Sequence, residues 1–281
     1  MTAIAESRSI RRWSVLPGFG PSLGFTLFYL GLIVLIPLSA LFLKAAELDF
    51  ASAWRILTEP RTLAAFRMTF GASAVAALLN AAFGLVIAWL LVRYRFWGRR
   101  IVDAMVDLPF ALPTAVAGVS LTALTAHNGW VGSLFAPLGI DIAFAPPGIV
   151  IALVFVGLPF VVRTVQPVLQ DLEPELEEAA ATLGADRWQT FLHVTFPSLT
   201  PALLTGFALA FARAIGEYGS VIFIAGNRPG STEIVPLLIV IKLEEFDYRG
   251  AAIIATASLL VAFLLLVVIN LLQRRLGAHR G

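Results

Sequence analysis

Glu173 to Pro197 reads EPELEEAAATLGADRWQTFLHVTFP and is the most polar connection between apolar segments that resemble membrane spans. Its first proline can begin a helix, and the glutamates after this proline are favoured at the positive N-terminal end of that helix. Gly184 is expected to stop this helix, and Asp186 can cap a second helix over 187–194 that Pro197 would end. The stretch therefore predicts two short helices that meet at a glycine and form a rigid projection, suited to docking into a cleft of a soluble partner.

The same stretch carries a spaced motif. Glu178-Ala179-Ala180, three residues, Gly184, nine residues and then Val194-Thr195-Phe196-Pro197 resembles the E-A-A, x3, G, x9, I-x-L-P loop of ABC-importer permeases, with Val for Ile and Phe for Leu. In that family the loop is the coupling helix that fits a groove of the ATP-hydrolysing subunit. The resemblance implies that the following residues transmit nucleotide-driven motion: Glu177, Glu178, Ala179, Ala180, Gly184, Asp186, Trp188 and Pro197. A solvated acidic helical hairpin between two spans is the alternative.

The composition is that of an integral membrane protein. Of the 281 residues, 59% are hydrophobic and 14% are charged, whereas a soluble chain is about a quarter charged. The chain has no cysteine, which excludes disulfides, thiolate metal sites and a cysteine nucleophile. Its three histidines lie in different segments, so no metal site is expected. The charge pattern does not suggest a nucleic-acid partner, and the expected surroundings are a lipid bilayer.

Six apolar segments are expected to cross the membrane, which predicts an all-α, polytopic membrane helix bundle. They cover about 25–43, 69–92, 105–126, 148–165, 199–225 and 251–272. The domain organisation would then be an N-terminal segment over 1–24, a transmembrane domain over 25–272 with its coupling loop at 166–197, and a tail over 273–281. A signal peptide is the competing interpretation of the first segment, but this segment is long enough to span.

The third segment contains Pro109, Pro113 and several hydroxyl side chains, among them Thr114 and Ser120. Broken helices with polar side chains are tolerated in a membrane only where protein or a water-lined path satisfies the freed backbone groups. Thr114 and Ser120 are therefore candidates for lining a substrate pathway. A kinked packing helix is the alternative.

A shorter apolar run over 234–241 is too short to cross a bilayer. We expect it to form a short helix at the outer face, with a plain interfacial helix as the alternative. Lys and Arg are more numerous on the faces that hold both termini and the loop over 166–197 than on the opposite faces. The positive-inside rule therefore predicts that both termini and the loop are cytoplasmic, where an ATPase could reach them.

Arg213 and Glu217 lie four residues apart inside the fifth segment, so they share one helix face and can neutralise each other. Ionisable side chains at membrane depth are functional candidates by default. Arg213 would attract an anion and Glu217 would position it; alternatively, the pair only holds the helix against its neighbour. Gly216 and Gly219 bracket Glu217 and Tyr218 and permit a break that would point backbone N–H groups at a substrate.

Four blocks of this chain look like the T-type permease of bacterial sulfate/thiosulfate ABC importers, although molybdate and tungstate permeases share much of the pattern. The blocks cover 107–118, 157–167, 211–227 and 233–248. The resemblance implies a type I ABC-importer permease fold in the cell inner membrane. It further implies three partners: a second, related W-type permease, a dimer of ATP-binding subunits and a periplasmic sulfate/thiosulfate-binding protein.

The expected function is therefore that of the permease subunit of an ATP-driven importer of sulfate/thiosulfate, with alternating access as its mechanism. Another oxyanion, such as molybdate or tungstate, is the alternative cargo. The chain carries no Gly-x4-Gly-Lys-Ser/Thr phosphate loop, so we expect it not to be an enzyme, to need no cofactor and to leave ATP hydrolysis to another subunit. An ion-coupled secondary transporter is the alternative from another class, with Glu217 as its lone candidate carboxylate.

Overall fold

A computed structural model of the chain describes residues 19–278, and this part is built of helices without any strand. We number the helices in chain order. They are α1 (Phe19–Ala45), α2 (Phe50–Thr58), α3 (Pro60–Arg93), α4 (Arg99–Val106), α5 (Leu108–Ala111), α6 (Thr114–Thr125), α7 (Gly132–Phe135), α8 (Pro146–Gln170), α9 (Pro174–Thr182), α10 (Arg187–Ile215), α11 (Val221–Ile224), α12 (Val235–Glu244) and α13 (Tyr248–Ala278).

Five of the described helices are long and apolar enough to cross a membrane, namely α1, α3, α8, α10 and α13. The third predicted span, over 105–126, is not one helix. It is divided into α4, α5 and α6, and α6 has only 12 residues. Pro109 lies in the first turn of α5 and Pro113 is the N-cap of α6, as expected of residues that cannot donate a backbone N–H within a helix.

The centre of the bundle is formed by α3, α8 and α10, which pack extensively against one another. Small side chains line α3 where it meets its neighbours, since Ala76, Ala77 and Ala88 are buried. Facing them, α8 contributes a row of buried valines that includes Val161 and Val165. Small residues let helices approach closely in lipid, so α3 packs tightly inside the bundle.

The remaining helices surround this centre. Helix α1 packs along α13, and none of the described side chains of α1 is buried. Helix α12 covers the run over 234–241 and contacts α13 and α3, so the predicted short helix is confirmed. The predicted segments 1–24 and 273–281 lie partly outside the described residues, but the chain is already helical at Phe19, before the predicted start at 25.

Two other predicted boundaries are wrong. Helix α3 begins at Pro60, whereas the second predicted span was expected to begin at about 69. Pro197 does not end a helix, because α10 continues through it to Ile215. A π-helical turn, Phe191–Thr195, lies directly before this proline. A proline is tolerated where the regular hydrogen-bond pattern is already interrupted, so the helix runs on.

Candidate functional site

The polar loop folds into the predicted pair of helices joined at a glycine. Helix α9 ends at Thr182, and Gly184 has a φ of +87°, a left-handed conformation that favours glycine. Helix α10 then starts at Arg187 behind a capping box. In this box the Asp186 carboxylate accepts the Gln189 N–H at 2.7 Å, and the Gln189 side-chain oxygen accepts the Asp186 N–H at 3.0 Å. We call residues 174–195 the coupling hairpin.

The coupling hairpin presents most of the predicted coupling residues at its surface. Glu178, Ala179, Gly184, Asp186 and Trp188 are exposed, whereas Glu177, Ala180 and Pro197 are half-buried. Sequence reasoning missed Leu183, which is 88% exposed at the tip of the hairpin. Leu183 directly precedes Gly184, so it lies at the turn between the two helices of the hairpin. The exposed tip thus combines apolar and acidic side chains.

Glu177 is turned towards its own chain. Its carboxylate accepts hydrogen bonds from the Arg93 guanidinium at 2.6 Å and from the Thr195 hydroxyl at 3.1 Å. The Arg93 guanidinium in turn lies over the Trp89 ring, 5.5 Å from its centroid. Because Arg93 is the last residue of α3, this contact ties the coupling hairpin to the central bundle. The sequence held no signal for this pairing across 84 positions.

Within α10, the structure brings Arg213 and Glu217 together as predicted. One guanidinium nitrogen lies 2.6 Å from Glu217 Oε2. The other carboxylate oxygen, Oε1, accepts the Ser220 backbone N–H at 2.8 Å and the Ser220 hydroxyl at 2.9 Å. The Glu217 side chain is 2% exposed and that of Arg213 is 35% exposed. Glu217 is thus enclosed by donors, while part of Arg213 remains open.

The helix breaks directly after this pair, as expected from Gly216 and Gly219. Helix α10 ends at Ile215, and α11 begins only at Val221. The Ser220 N–H is donated to Glu217, so this donor serves the fold rather than a substrate. Tyr218 is half-buried against the apolar cluster around Val221. The break is therefore held in place by the carboxylate inside it.

Helix α6 lies against this break. A side chain on Gly219 would overlap the Thr114 hydroxyl, and one on Gly118 would lie 2.7 Å from Ser220 Cα. The structure therefore places Thr114 against Gly219, within the break that follows α10. Ser120 lies further along α6 and is exposed. Of the two hydroxyl candidates, Thr114 belongs to the neighbourhood of the break.

Two arginines make ionic contacts that were not expected from the sequence. Arg163, in α8, donates to both Asp107 oxygens at 2.8 and 2.6 Å and to Asp103 Oδ1 at 2.6 Å. It thereby joins α8 to the broken segment α4–α5. Arg61, at the start of α3, makes a two-pronged contact with buried Glu233 at 2.8 and 2.7 Å. The partners lie 56 to 172 positions apart, too far for a local pattern to indicate them.

Comparison with known proteins identifies the family. Residues 80–279 match the family described as "Binding-protein-dependent transport system inner membrane component". The chain belongs to this family. As a family member it is a multi-pass component of the inner membrane, in agreement with its five membrane-spanning candidates within residues 19–278.

Relatives within the family match along nearly their whole length. The chain is 51% identical over 263 residues to "Sulfate transport system permease protein CysT" of Escherichia coli (strain K12), covering 94% of this chain and 95% of the relative. It is 49% identical over 270 residues to the protein of the same name from Synechocystis sp., covering 96% and 94%. These relatives are transport permeases rather than enzymes.

Solved ABC transporters share the fold. A bacterial ABC transporter involved in the import of the acidic polysaccharide alginate gives a TM-score of 0.74 at 17% identity, covering 91% of this chain and 94% of that chain. The MetNI methionine ABC transporter gives 0.56 at 18% identity, covering 82% and 99%. The predicted all-α ABC-importer permease fold is therefore confirmed.

Proposed function

We propose that this chain is the membrane-spanning permease subunit of an ATP-driven importer that carries sulfate and thiosulfate across the inner membrane. One observation carries the proposal: about half of the residues are identical, over nearly the full length, to family members that are named for sulfate transport. A match over 263 of the 281 residues extends across the coupling hairpin and the break around Glu217, so it supports a common cargo as well as a common fold.

The exposed tip of the coupling hairpin supports docking of an ATP-binding subunit dimer. Leu183 and Trp188 are 88% and 67% exposed, and Glu178 and Asp186 lie beside them. Apolar anchors with polar neighbours are typical of a recognition surface that fits a groove. Glu177, Ala179, Ala180, Gly184 and Pro197 then shape and orient this surface. ATP hydrolysis takes place on the partner, and the chain itself has no catalytic residue.

Two further partners complete the proposed importer: a related W-type permease and a periplasmic sulfate/thiosulfate-binding protein. The alginate transporter of the same fold has been solved in complex with an alginate pentasaccharide-bound periplasmic protein, which supports delivery of the cargo by a separate carrier. In the proposed orientation, both termini and the coupling hairpin are cytoplasmic and α12 lies at the outer face. The distribution of Lys and Arg supports this orientation.

Helix α10 provides a mechanical link between the two candidate sites. It is continuous from Arg187 to Ile215, 29 residues, which corresponds to about 43 Å of helix. One end lies in the coupling hairpin and the other carries Arg213 and the break. When ATP closes the partner dimer, movement of the hairpin is carried along α10 as a rigid body. The spans then open towards the outside, as alternating access requires.

Arg213 is the proposed anion-attracting group of the pathway, with Glu217 as its positioning residue. The carboxylate cancels part of the positive charge, so the pathway attracts an anion without holding it tightly. Thr114 lies against Gly219 in the break that follows the pair and can offer a hydroxyl to an oxyanion. Tyr218 and Ser120 are assigned weaker roles at the edges of the pathway, because one packs on the apolar cluster and the other is exposed.

The test is uptake of radiolabelled sulfate into vesicles that contain this chain with its partner subunits and carrier. Uptake should need ATP and should be inhibited by excess thiosulfate but not by molybdate. Inhibition by molybdate alone, or absence of sulfate uptake, would overturn the cargo while leaving the permease assignment. Uptake driven by an ion gradient without ATP would instead favour a secondary transporter. Vesicles without the ATP-binding subunit serve as the control.

A further inference from the structure

The segment that follows α3 concentrates exposed aromatic, apolar and basic side chains. We call residues 94–105 the basic interfacial segment. It leaves α3 at Tyr94, turns at Gly98 and continues as α4. Trp97 is 96% exposed, and Ile101 and Met105, which follow it at intervals of four residues, are 61% and 62% exposed. This spacing places Ile101 and Met105 on one face of α4, and Trp97 is exposed just before the helix begins; we call these three residues the apolar stripe.

The opposite side of α4 is occupied by the protein. Val106 is buried, and Val102 packs on the central apolar cluster. Asp103 accepts a hydrogen bond from Arg163 of α8 at 2.6 Å. These contacts fix the rotation of α4 about its own axis. The exposure of Ile101 and Met105 is therefore a consequence of how α4 is anchored, and the apolar stripe points away from the bundle.

Three arginines accompany the stripe without a partner. Arg93, at the end of α3, is paired with Glu177. By contrast, within residues 19–278 the structure shows no ion pair and no side-chain hydrogen bond for Arg95, Arg99 or Arg100. Three arginines without a counter-ion beside Trp97 form a surface that suits an amphipathic ligand, one with an anionic group and an apolar part.

We propose that the basic interfacial segment binds the headgroups of anionic phospholipids. It begins directly after the 34-residue α3, one of the membrane-spanning candidates, and so lies at a membrane boundary. Exposed tryptophan and apolar side chains enter the boundary layer of a bilayer, and juxtamembrane arginines attract its anionic headgroups. The three arginines are exposed or half-buried along an open surface, which suits a two-dimensional array of headgroups.

This inference does not depend on the cargo of the importer. The arginines lie on α4 and the turn before it, whereas the proposed pathway lies at Arg213. A failure of sulfate uptake would therefore leave the lipid site untouched, and loss of lipid binding would leave the cargo untouched. Phosphatidylglycerol is the suitable probe, with phosphatidylcholine as the neutral comparison.

The experiment measures quenching of Trp97 fluorescence by brominated lipids in the complete importer, using the difference between the unaltered protein and a Trp97→Phe variant. Brominated phosphatidylglycerol should quench at lower concentration than brominated phosphatidylcholine. Arg99→Gln/Arg100→Gln should weaken binding of phosphatidylglycerol about 30-fold, the effect expected of two boundary arginines. Arg55→Gln/Arg67→Gln, which removes two other exposed arginines, should leave binding unchanged.

Four results would overturn the inference. The first is equal quenching by the two lipids, and the second is an equal loss in the control variant. The third is displacement of the lipid by millimolar free sulfate or phosphate, which would make the segment a site for small anions. The fourth is quenching in the isolated chain that disappears in the complete importer, which would show that another subunit covers this surface.

Discussion

At the scale of single residues, Glu217 is distinguished by the number of donors that its carboxylate satisfies. It accepts two hydrogen bonds from Ser220 and pairs with Arg213, with only 2% of its side chain exposed. A buried charge is stable only when it is paired and hydrogen-bonded. The Arg213–Glu217 pair therefore holds the end of α10 in shape, and the exposed part of Arg213 is what remains for a passing anion.

Glu217→Ala should destabilise the protein by about 3 kcal/mol, the lower end of the range for a broken buried pair, because Arg213 keeps some solvent contact. The double variant Arg213→Ala/Glu217→Ala should be less destabilised than the sum of its two single variants. Thermal unfolding of the purified protein in detergent measures both effects. Glu244→Ala, which removes an exposed glutamate, is the control. Equal stability of Glu217→Ala and this control would contradict a structural role for the pair.

At the scale of elements, the parts that could be predicted are those determined by neighbouring residues. Gly184 and the capping box at Asp186 act within a few positions, so both helices of the coupling hairpin were expected. The continuation of α10 through Pro197 was missed, because no local pattern indicates a π-helical turn. The contacts of Arg163 and Glu177 were missed because tertiary packing brings their partners together. The sequence thus predicted the two helices of the hairpin and the Arg213–Glu217 ion pair, but not the contacts that anchor them to the bundle.

Gly184→Ala should disturb the coupling hairpin, because an L side chain at a φ of +87° carries a penalty of about 1–2 kcal/mol. Gly184→Glu should act more strongly, and both variants should lower oxyanion-stimulated ATPase activity of the complete importer. The matched control is Gly139→Ala, which has a φ of +70° and equally open surroundings but lies outside the hairpin. Normal stimulation in the Gly184 variants would contradict the coupling assignment.

Arg163→Gln should release the broken segment from α8. The guanidinium donates to Asp103, Asp107 and Gln166, and a glutamine cannot reproduce this fork. Amide hydrogen exchange over 99–111 should therefore become faster, while exchange in α3 stays unchanged. Arg163→Lys should rescue only in part, because a point charge cannot bind two carboxylates in the same geometry. Arg187→Gln, on the exposed hairpin surface, is the control. Unaltered hydrogen exchange in Arg163→Gln would show that Arg163 does not hold the broken segment to α8.

At the scale of the whole molecule, the chain links its two candidate sites by rigid parts. The coupling hairpin is tied to α3 through Arg93 and Glu177, and its second helix is the start of α10, which runs on through the π-helical turn to Ile215. The other end of α10 is closed by Glu217, and α6 packs on the break that follows, with Thr114 against Gly219 and Gly118 against Ser220. We therefore expect α3 and α10 to move with the hairpin, so that its movement is transmitted along α10 to the break. This arrangement has functional meaning only if the hairpin and the loop at α7 face opposite sides of the membrane.

That topology can be tested directly, because the natural chain has no cysteine and a single introduced cysteine reports its own position. Ala179 lies in the coupling hairpin and Ser133 in α7, and both are exposed. In right-side-out vesicles, a membrane-impermeant maleimide should label Ser133→Cys but not Ala179→Cys. Inside-out vesicles stripped of the ATP-binding subunit should give the reverse, and the unaltered chain should stay unlabelled in both. Since α8 alone separates α7 from the hairpin, labelling of both positions from one side would mean that α8 does not span.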